Sequence, residues 1–189
     1  YAHLQADIDL MLRYLGKAMA HRRKGVNILL YGLPGSGKTQ LARVLGQALD
    51  AVVHEVETTD AEGESSSGTR RLGMLSTLHR VLAGRRALVV FDEIDQVFAD
   101  GNWFTGVRTT ADRMRGWLLD QLECNAVPTL WIGNDMGSLD PAFARRFDIV
   151  LEMNAPPRAQ RTEMIRRHAG RWLEEGQVRK LAQVQNLSP

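Results

Sequence analysis

The chain has 189 residues, enough for one large hydrophobic core but not for two full domains. Its 44% hydrophobic and 24% charged residues are ordinary for a globular α/β protein and exclude disorder and membrane spans. The net charge of +2 is spread over dispersed basic pairs, so a nucleic-acid partner is compatible with the charge but not indicated by it. The single cysteine, Cys124, excludes a disulfide framework and a thiolate metal site and favours a cytoplasmic location.

An amphipathic helix is predicted at the start of the chain, because apolar residues recur at helical spacing over residues 4–19. Gly25 is placed to end this helix after the basic residues 22–24. The chain begins with Tyr1 rather than Met, and Ser188-Pro189 is typical of a helix start. We therefore expect this chain to be a piece of a longer protein.

Short apolar segments predict parallel strands that are buried under helices on both sides. They lie at residues 26–31, 87–91 and 129–132, whereas residues 51–56 are a more mixed run and a last strand is expected at residues 149–153. Helical patterns lie between the strands around residues 41–49, 72–82 and 114–122. Strands that alternate with helices predict a parallel sheet with helical crossovers. The polar residues 61–69 are expected to form a flexible loop. Pro156-Pro157 ends this pattern, so residues 1–155 are predicted to form one large αβα unit and residues 156–189 to begin a helical one.

Residues 32–39, Gly-Leu-Pro-Gly-Ser-Gly-Lys-Thr, fit the phosphate-binding pattern G-x-x-x-x-G-K-[ST]. The segment follows a predicted strand and opens a predicted helix, so backbone N–H groups and the helix dipole can face phosphate oxygens. A glycine-rich turn alone would be only a tight connection, but Lys38 is in register to reach the β- and γ-phosphates and Thr39 to offer its hydroxyl to Mg²⁺. The predicted nucleotide-binding residues here are Gly32, Pro34, Gly35, Ser36, Gly37, Lys38, Thr39 and Gln40.

Two carboxylates, Asp92 and Glu93, follow the apolar strand 87–91, at the kind of strand end where parallel sheets bind ligands. Alone, such a pair is more typical of a solvated loop. Together with the phosphate loop, it predicts that Asp92 holds Mg²⁺ through water and that Glu93 polarises the attacking water as a general base. Asp95 is more typical of a solvated residue or a helix cap than of a ligand.

Asn134 follows the strand 129–132, and alone it is more typical of a turn. If this strand lies between the phosphate-loop strand and the Asp92 strand, its amide can hydrogen-bond both the γ-phosphate and the attacking water. Further along, Asp140 and Pro141 begin a short helix that presents Arg145 and Arg146. In isolation these arginines would be a solvated basic helix end.

These elements, in this order, resemble the AAA+ ATPase superfamily, and more narrowly its AAA-type members. The resemblance implies a P-loop NTPase fold: a three-layer αβα sandwich with a five-stranded parallel sheet, followed by the start of a small helical lid. It also implies roles by motif position. Lys38 and Thr39 match Walker A, Asp92 and Glu93 match Walker B, and Asn134 matches sensor 1. Arg145 matches the arginine finger, with Arg146 as the second arginine, both acting on a neighbouring subunit's nucleotide.

The function that the resemblance implies is Mg²⁺-dependent ATP hydrolysis by a homo-oligomeric ring, a hexamer, that remodels a protein client. Two alternatives stay open: a nucleic-acid-handling loader or helicase-associated ATPase, and a nucleotide-gated scaffold with little turnover. A kinase or a GTPase is less favoured, since residues 133–135 lack the Asn-Lys-x-Asp pattern that reads guanine.

The chain departs from the family pattern in two places. Residues 61–68, where translocating members carry an aromatic pore loop, contain no aromatic residue, so threading of a polypeptide is in doubt. Trp103-Phe104 could form a second substrate-contacting loop or could pack onto the domain. The sensor 2 arginine has no assignable position, and Arg166, Arg167 and Arg179 are not substitutes for it.

Overall fold

The structure is a computed structural model of the chain. It describes residues 4–59, 63–99, 110–135, 137, 139, 141–154 and 156–183. Within these ranges no helix is both long enough and apolar enough to cross a membrane.

The predicted five-stranded parallel sheet is confirmed. Its strands are β1 (Asn27–Tyr31), β2 (Val52–Glu55), β3 (Ala87–Phe91), β4 (Thr129–Ile132) and β5 (Ile149–Glu152). Their order across the sheet is β2-β3-β4-β1-β5, and every neighbouring pair is parallel. β4 therefore lies between β3 and β1, as the interpretation of Asn134 required.

Helices connect the strands on both sides of the sheet. Their bounds are α1 (Gln5–Ala20), α2 (Lys38–Ala48), α3 (Gly68–Val81), α4 (Asp95–Ala99), α5 (Thr110–Arg113), α6 (Arg115–Cys124), α7 (Pro141–Ala144), α8 (Arg158–Ala169) and α9 (Glu175–Leu181). The apolar spacing found in the sequence thus corresponds to α1, α2, α3 and α6, and α8 and α9 lie where the helical unit was expected.

Two hydrophobic cores, one on each face of the sheet, hold these layers together. In β1, Ile28 and Leu30 pack with the apolar residues of α1 and α2, whereas Leu29 packs with those of α3 and α6. Alternate residues of a strand point to opposite faces, so the consecutive apolar residues 28–30 of β1 supply both cores. The predicted three-layer αβα sandwich is confirmed.

Two predicted boundaries were wrong. α1 ends at Ala20, and Gly25 lies beyond it, at a φ of 68° where the chain turns into β1. A Cβ at Gly25 would lie 2.5 Å from the carbonyl oxygen of Glu123, so this glycine allows a close approach to the end of α6. The loop predicted at residues 61–69 is shorter, because α3 begins at Gly68, with the Ser67 hydroxyl accepting from the Arg70 N–H.

The helices α8 and α9 pack against one another after Pro156. Arg161 in α8 donates to the carbonyl oxygen of Ala182 at 2.9 Å and to that of Pro156 at 2.7 Å, which ties the end of α9 to the start of α8. The division of the chain at residue 155 stays a prediction. Several residues singled out in the sequence lie outside the described residues, namely Trp103, Phe104, Asp140, Ser188 and Pro189.

Candidate functional site

The carboxyl ends of β1, β4 and β3 lie side by side, because these strands are neighbours and parallel. The phosphate loop follows β1, Asn134 follows β4, and Asp92 and Glu93 follow β3. The structure therefore brings the three predicted parts of the site to one edge of the sheet, where parallel α/β sheets bind ligands.

The phosphate loop ends in helix α2, which begins at Lys38 with Gly37 as its N-cap at a φ of 90°. Glycine has no side chain to cap the N–H groups of the first turn, so these groups and the helix dipole favour an anion. Pro34 and Gly35 are exposed at the tip of the loop, Ser36 is buried, and Gln40 is exposed in the first turn of α2. Every residue predicted to bind nucleotide in this segment thus lies in the loop or in that first turn.

Lys38 is buried, and its ammonium lies inside the loop. Its Nζ donates to the carbonyl oxygens of Gly32 at 2.7 Å and Leu33 at 3.0 Å, and to Oδ1 of Asn134 at 3.3 Å. Burial lowers the pKa of Lys38, while the charges of Asp92 and Asp95 act in the opposite direction. The ammonium is thereby held between the loop and the end of β4.

Thr39 and Asp92 meet across the site. The Thr39 hydroxyl donates to Oδ2 of Asp92 at 2.7 Å. Hydroxyl and carboxylate oxygens are the hard ligands that Mg²⁺ prefers, and Mg²⁺ usually takes its other ligands from water and substrate phosphates. In the described part of the chain, no three His, Cys, Asp or Glu side chains converge as a metal cage. The oxygen pair fits a Mg²⁺ ion shared with a nucleotide.

Glu93 lies in an unusual backbone conformation, with a φ of 52°. Its N–H donates to Oδ1 of Asp92 at 2.7 Å, and its Oε2 accepts from the amide of Gln96 at 2.7 Å. Non-glycine residues in the left-handed region cost free energy and cluster at functional sites. The Glu93 carboxylate is therefore oriented by its neighbours.

The two arginines after α7 have different surroundings. Arg145 is exposed, and no side chain in the described ranges forms a hydrogen bond or ion pair with its guanidinium. Arg146 is engaged within the subunit, where it donates to Oε1 of Glu123 and to the carbonyl oxygen of Ala142, each at 2.7 Å. Of the two, Arg145 presents the guanidinium that a second molecule can meet.

A family model described as "ATPase family associated with various cellular activities (AAA)" matches residues 28–155, which include all of these residues. The chain belongs to the AAA family. The AAA domain is 26% identical over 183 residues to a vesicle-fusing ATPase of Caenorhabditis elegans, with 85% of this chain and 21% of that protein covered. It is 30% identical over 165 residues to the 26S proteasome regulatory subunit 10B of Dictyostelium discoideum, with 80% and 40% covered.

The chain thus spans less than half the length of each of these relatives. Among solved structures, it superposes on Caenorhabditis elegans PCH-2 with a TM-score of 0.63 at 19% identity, over 93% of this chain and 58% of that one. A likeness at this identity shows the fold.

Sequence reasoning missed Gln96 and Arg71, which contact the site of this AAA domain, and it interpreted Asp95 as a solvated residue or a helix cap. Asp95 accepts from the N–H groups of Asn134 at 2.7 Å and Asp135 at 3.3 Å, so it holds the end of β4 rather than being a freely solvated residue. Gln96 contacts the Glu93 carboxylate, and Arg71 donates to the carbonyl oxygens of Asp92 and Glu93. Of these residues, only Asp95 and Gln96 could have been suspected from the sequence, because they lie close to Glu93 along the chain.

Proposed function

We propose that this AAA domain binds and hydrolyses ATP with Mg²⁺, and that identical subunits form a ring, a hexamer, that remodels a protein client. The observation that supports ATP hydrolysis is the meeting of complementary groups at one sheet edge. Lys38 lies 3.3 Å from the Asn134 amide oxygen, and the Thr39 hydroxyl lies 2.7 Å from Asp92. A phosphate-binding cation and a Mg²⁺-binding oxygen pair recur in phosphoryl-transfer sites, and a neutral amide can position the attacking water.

Each group has a chemical role in this proposal. Lys38 and the N–H groups at the start of α2 bind the β- and γ-phosphates, and Thr39 and Asp92 hold Mg²⁺. With Mg²⁺ bound there, negative charge on the phosphates would be neutralised. Glu93 polarises the attacking water as a general base. The Asn134 amide can hydrogen-bond both that water and the γ-phosphate without repelling either.

Arg145 is proposed to complete the site of the neighbouring subunit. Its exposed guanidinium supports this role, and an arginine supplied from a neighbour can be worth roughly 10³ or more in rate. Arg146 is bound to Glu123 in its own subunit, so we infer that it supports the position of Arg145 and does not itself reach across. The similarity to a vesicle-fusing ATPase and to a proteasome regulatory subunit supports a protein complex as the client.

The test is phosphate release and ATP affinity in the wild type, Lys38→Ala and Glu93→Gln. We expect wild-type turnover that EDTA abolishes, no tight ATP binding in Lys38→Ala, and normal ATP binding with slow residual turnover in Glu93→Gln. The loss of kcat in Glu93→Gln should be about 10²-fold or more, because a general base contributes at least that much. Glu57→Gln, which neutralises an exposed carboxylate, is the matched control and should hydrolyse ATP normally. Normal turnover in Glu93→Gln would overturn the proposal.

The client is tested by capture on immobilised Glu93→Gln protein with ATP. This variant should hold ATP and keep its substrate, whereas the Lys38→Ala/Glu93→Gln double variant should release it. A protein recovered only with the single variant would support remodelling of a protein complex. Nucleic acid recovered without a protein client would replace this role with the loader or helicase-associated alternative.

A further inference from the structure

Arg71 is a buried arginine beneath the hydrolysis site. It lies in the first turns of α3, its relative exposure is 0%, and its guanidinium lies 4.5 Å from the centroid of the Phe91 ring. Burial lowers the pKa of Arg71, while the charges of Glu93 and Asp92 oppose that shift. A buried guanidinium is costly unless its N–H groups are satisfied, so its acceptors show what it holds in place.

Those acceptors are the backbone of the two carboxylate residues. One terminal nitrogen of Arg71 donates to the carbonyl oxygen of Asp92, and the other donates to that of Glu93 at 3.4 Å. The Nε has no acceptor among the described residues. The guanidinium therefore bridges successive carbonyl groups of the segment in which the chain turns from β3 into the site. This segment includes the strained residue Glu93, at a φ of 52°.

Gln96 connects Arg71 to the Glu93 carboxylate. Arg71 also donates to Oε1 of Gln96 at 3.3 Å, and Nε2 of Gln96 donates to Oε2 of Glu93 at 2.7 Å. A guanidinium can only donate, so the oxygen of the Gln96 amide must face Arg71 and its NH₂ must face Glu93. This arrangement occupies one carboxylate oxygen of Glu93 and leaves the other for water.

We propose that Arg71 is a positioning residue for ATP hydrolysis, fixing the Asp92–Glu93 backbone and, through Gln96, aiming the Glu93 carboxylate. The proposal rests on the proposed function, in which Glu93 is the base. Arg71 touches neither nucleotide nor water in this role. Its removal should therefore change kcat and leave ATP affinity almost unaltered.

The experiment compares kcat and ATP affinity in Arg71→Met, Arg71→Lys and Gln96→Leu. Arg71→Met should lower kcat about 10- to 100-fold and change the Kd for ATP by less than about 3-fold. Lysine keeps a cation that can donate to one carbonyl group but lacks the planar fork, so Arg71→Lys should recover part of the loss. Arg80→Met, which removes an exposed arginine of the same helix, is the matched control and should behave as the wild type.

Double variants show whether Arg71 acts through Glu93. In a Glu93→Gln background, Arg71→Met should cause no further loss of kcat, because the base that it positions is already absent. A further loss of similar size, or an equal loss of kcat and ATP affinity, would overturn the proposal. If Arg71→Met does not fold, as judged by circular dichroism, the decision rests on Arg71→Lys and Gln96→Leu, and wild-type kcat in both overturns it.

The same measurements separate this proposal from the one on which it rests. If Glu93→Gln loses turnover and the Arg71 and Gln96 variants do not, only the positioning role fails. If Glu93→Gln hydrolyses ATP normally, the proposed function fails first.

Discussion

Gly32 is the residue at which β1 passes into the phosphate loop, and its backbone φ is 132°. A Cβ there would lie 2.4 Å from the carbonyl oxygen of Met153, next to the end of β5. We predict that Gly32→Ala lowers the free energy of unfolding by roughly 2–4 kcal/mol, because it adds both backbone strain and a clash with backbone. Chemical denaturation measures this loss, and ATP affinity should fall with it, since the loop begins here.

The matched control for Gly32→Ala is Gly73→Ala in α3. A Cβ at Gly73 would have no atom within 4 Å, so this change should leave stability equal or raise it by about 0.5–1 kcal/mol. Equal stability of the two variants would show that the close approach of Gly32 to Met153 is not a constraint.

At the residue scale, the sequence predicted the groups that form motifs and missed those that support them. The residues from Gly32 to Thr39 follow a fixed spacing that depends on local backbone, so they can be found without a fold. Arg70 and Arg71 are adjacent arginines, and nothing in the sequence shows that one of them is buried and the other exposed. Only the packing of α3 on the sheet makes Arg70 exposed and Arg71 fully buried beside Asp92.

Helix α3 also carries a buried histidine that makes stability depend on pH. His79 is buried, its Nε2 lies 3.3 Å from Oγ1 of Thr129 in β4, and its Nδ1 has no partner among the described residues. Burial lowers the pKa of His79 from 6.5 to about 4. The unfolded chain therefore takes up a proton between these two pH values that the folded protein does not bind.

We predict that His79 contributes its full stabilisation above pH 6.5 and loses it as the pH falls toward 4. At pH 5 the loss should be about 2 kcal/mol, because each pH unit within this window is worth about 1.4 kcal/mol. Denaturant titrations at pH 7.5 and 5.0 measure it, with His79→Gln as the comparison. The variant should lose less stability than the wild type between these conditions, and equal losses would contradict the assignment.

At the element scale, strands were predicted better than the ends of helices. Each strand except β2 and β5 is buried along nearly its whole length, which requires the continuous apolar runs that the sequence shows. The predicted end of α1 was wrong because Gly25 serves a close approach between segments rather than the end of a helix. It lets the chain pass the end of α6, a contact between residues about 100 positions apart that no local pattern encodes.

The position of β4 in the sheet also depends on contacts between distant parts of the chain, which local sequence patterns do not encode. Its apolar sequence predicts a strand, but its place between β3 and β1 depends on how the crossovers are arranged. That order carries Asn134 to within 3.3 Å of Lys38, although 96 residues separate them. The sequence therefore supported Asn134 only as a conditional prediction until the strand order was known.

For the whole molecule, the difference between Arg145 and Arg146 leads to a prediction about assembly. If Arg145 completes a neighbouring site, Arg145→Ala should bind ATP but hydrolyse it far more slowly than the wild type, and so should Glu93→Gln. Mixed rings of the two variants should regain activity, because an Arg145→Ala subunit keeps its own Glu93 and receives Arg145 from a Glu93→Gln neighbour. In an equal mixture about one quarter of the sites should be complete. Half of the subunits are Arg145→Ala and keep Glu93, and half of their neighbours are Glu93→Gln and supply Arg145.

The measurement is phosphate release from each variant alone and from the mixture, with co-purification through a tag on one variant to show that mixed rings form. The control mixture pairs Arg145→Ala with the Arg145→Ala/Glu93→Gln double variant, in which no neighbour can supply the guanidinium. It should stay inactive. If mixed rings form and the first mixture is equally inactive, Arg145 acts within its own subunit or supports structure only. Activity in the first mixture alone requires that the base and the arginine of one site come from different chains.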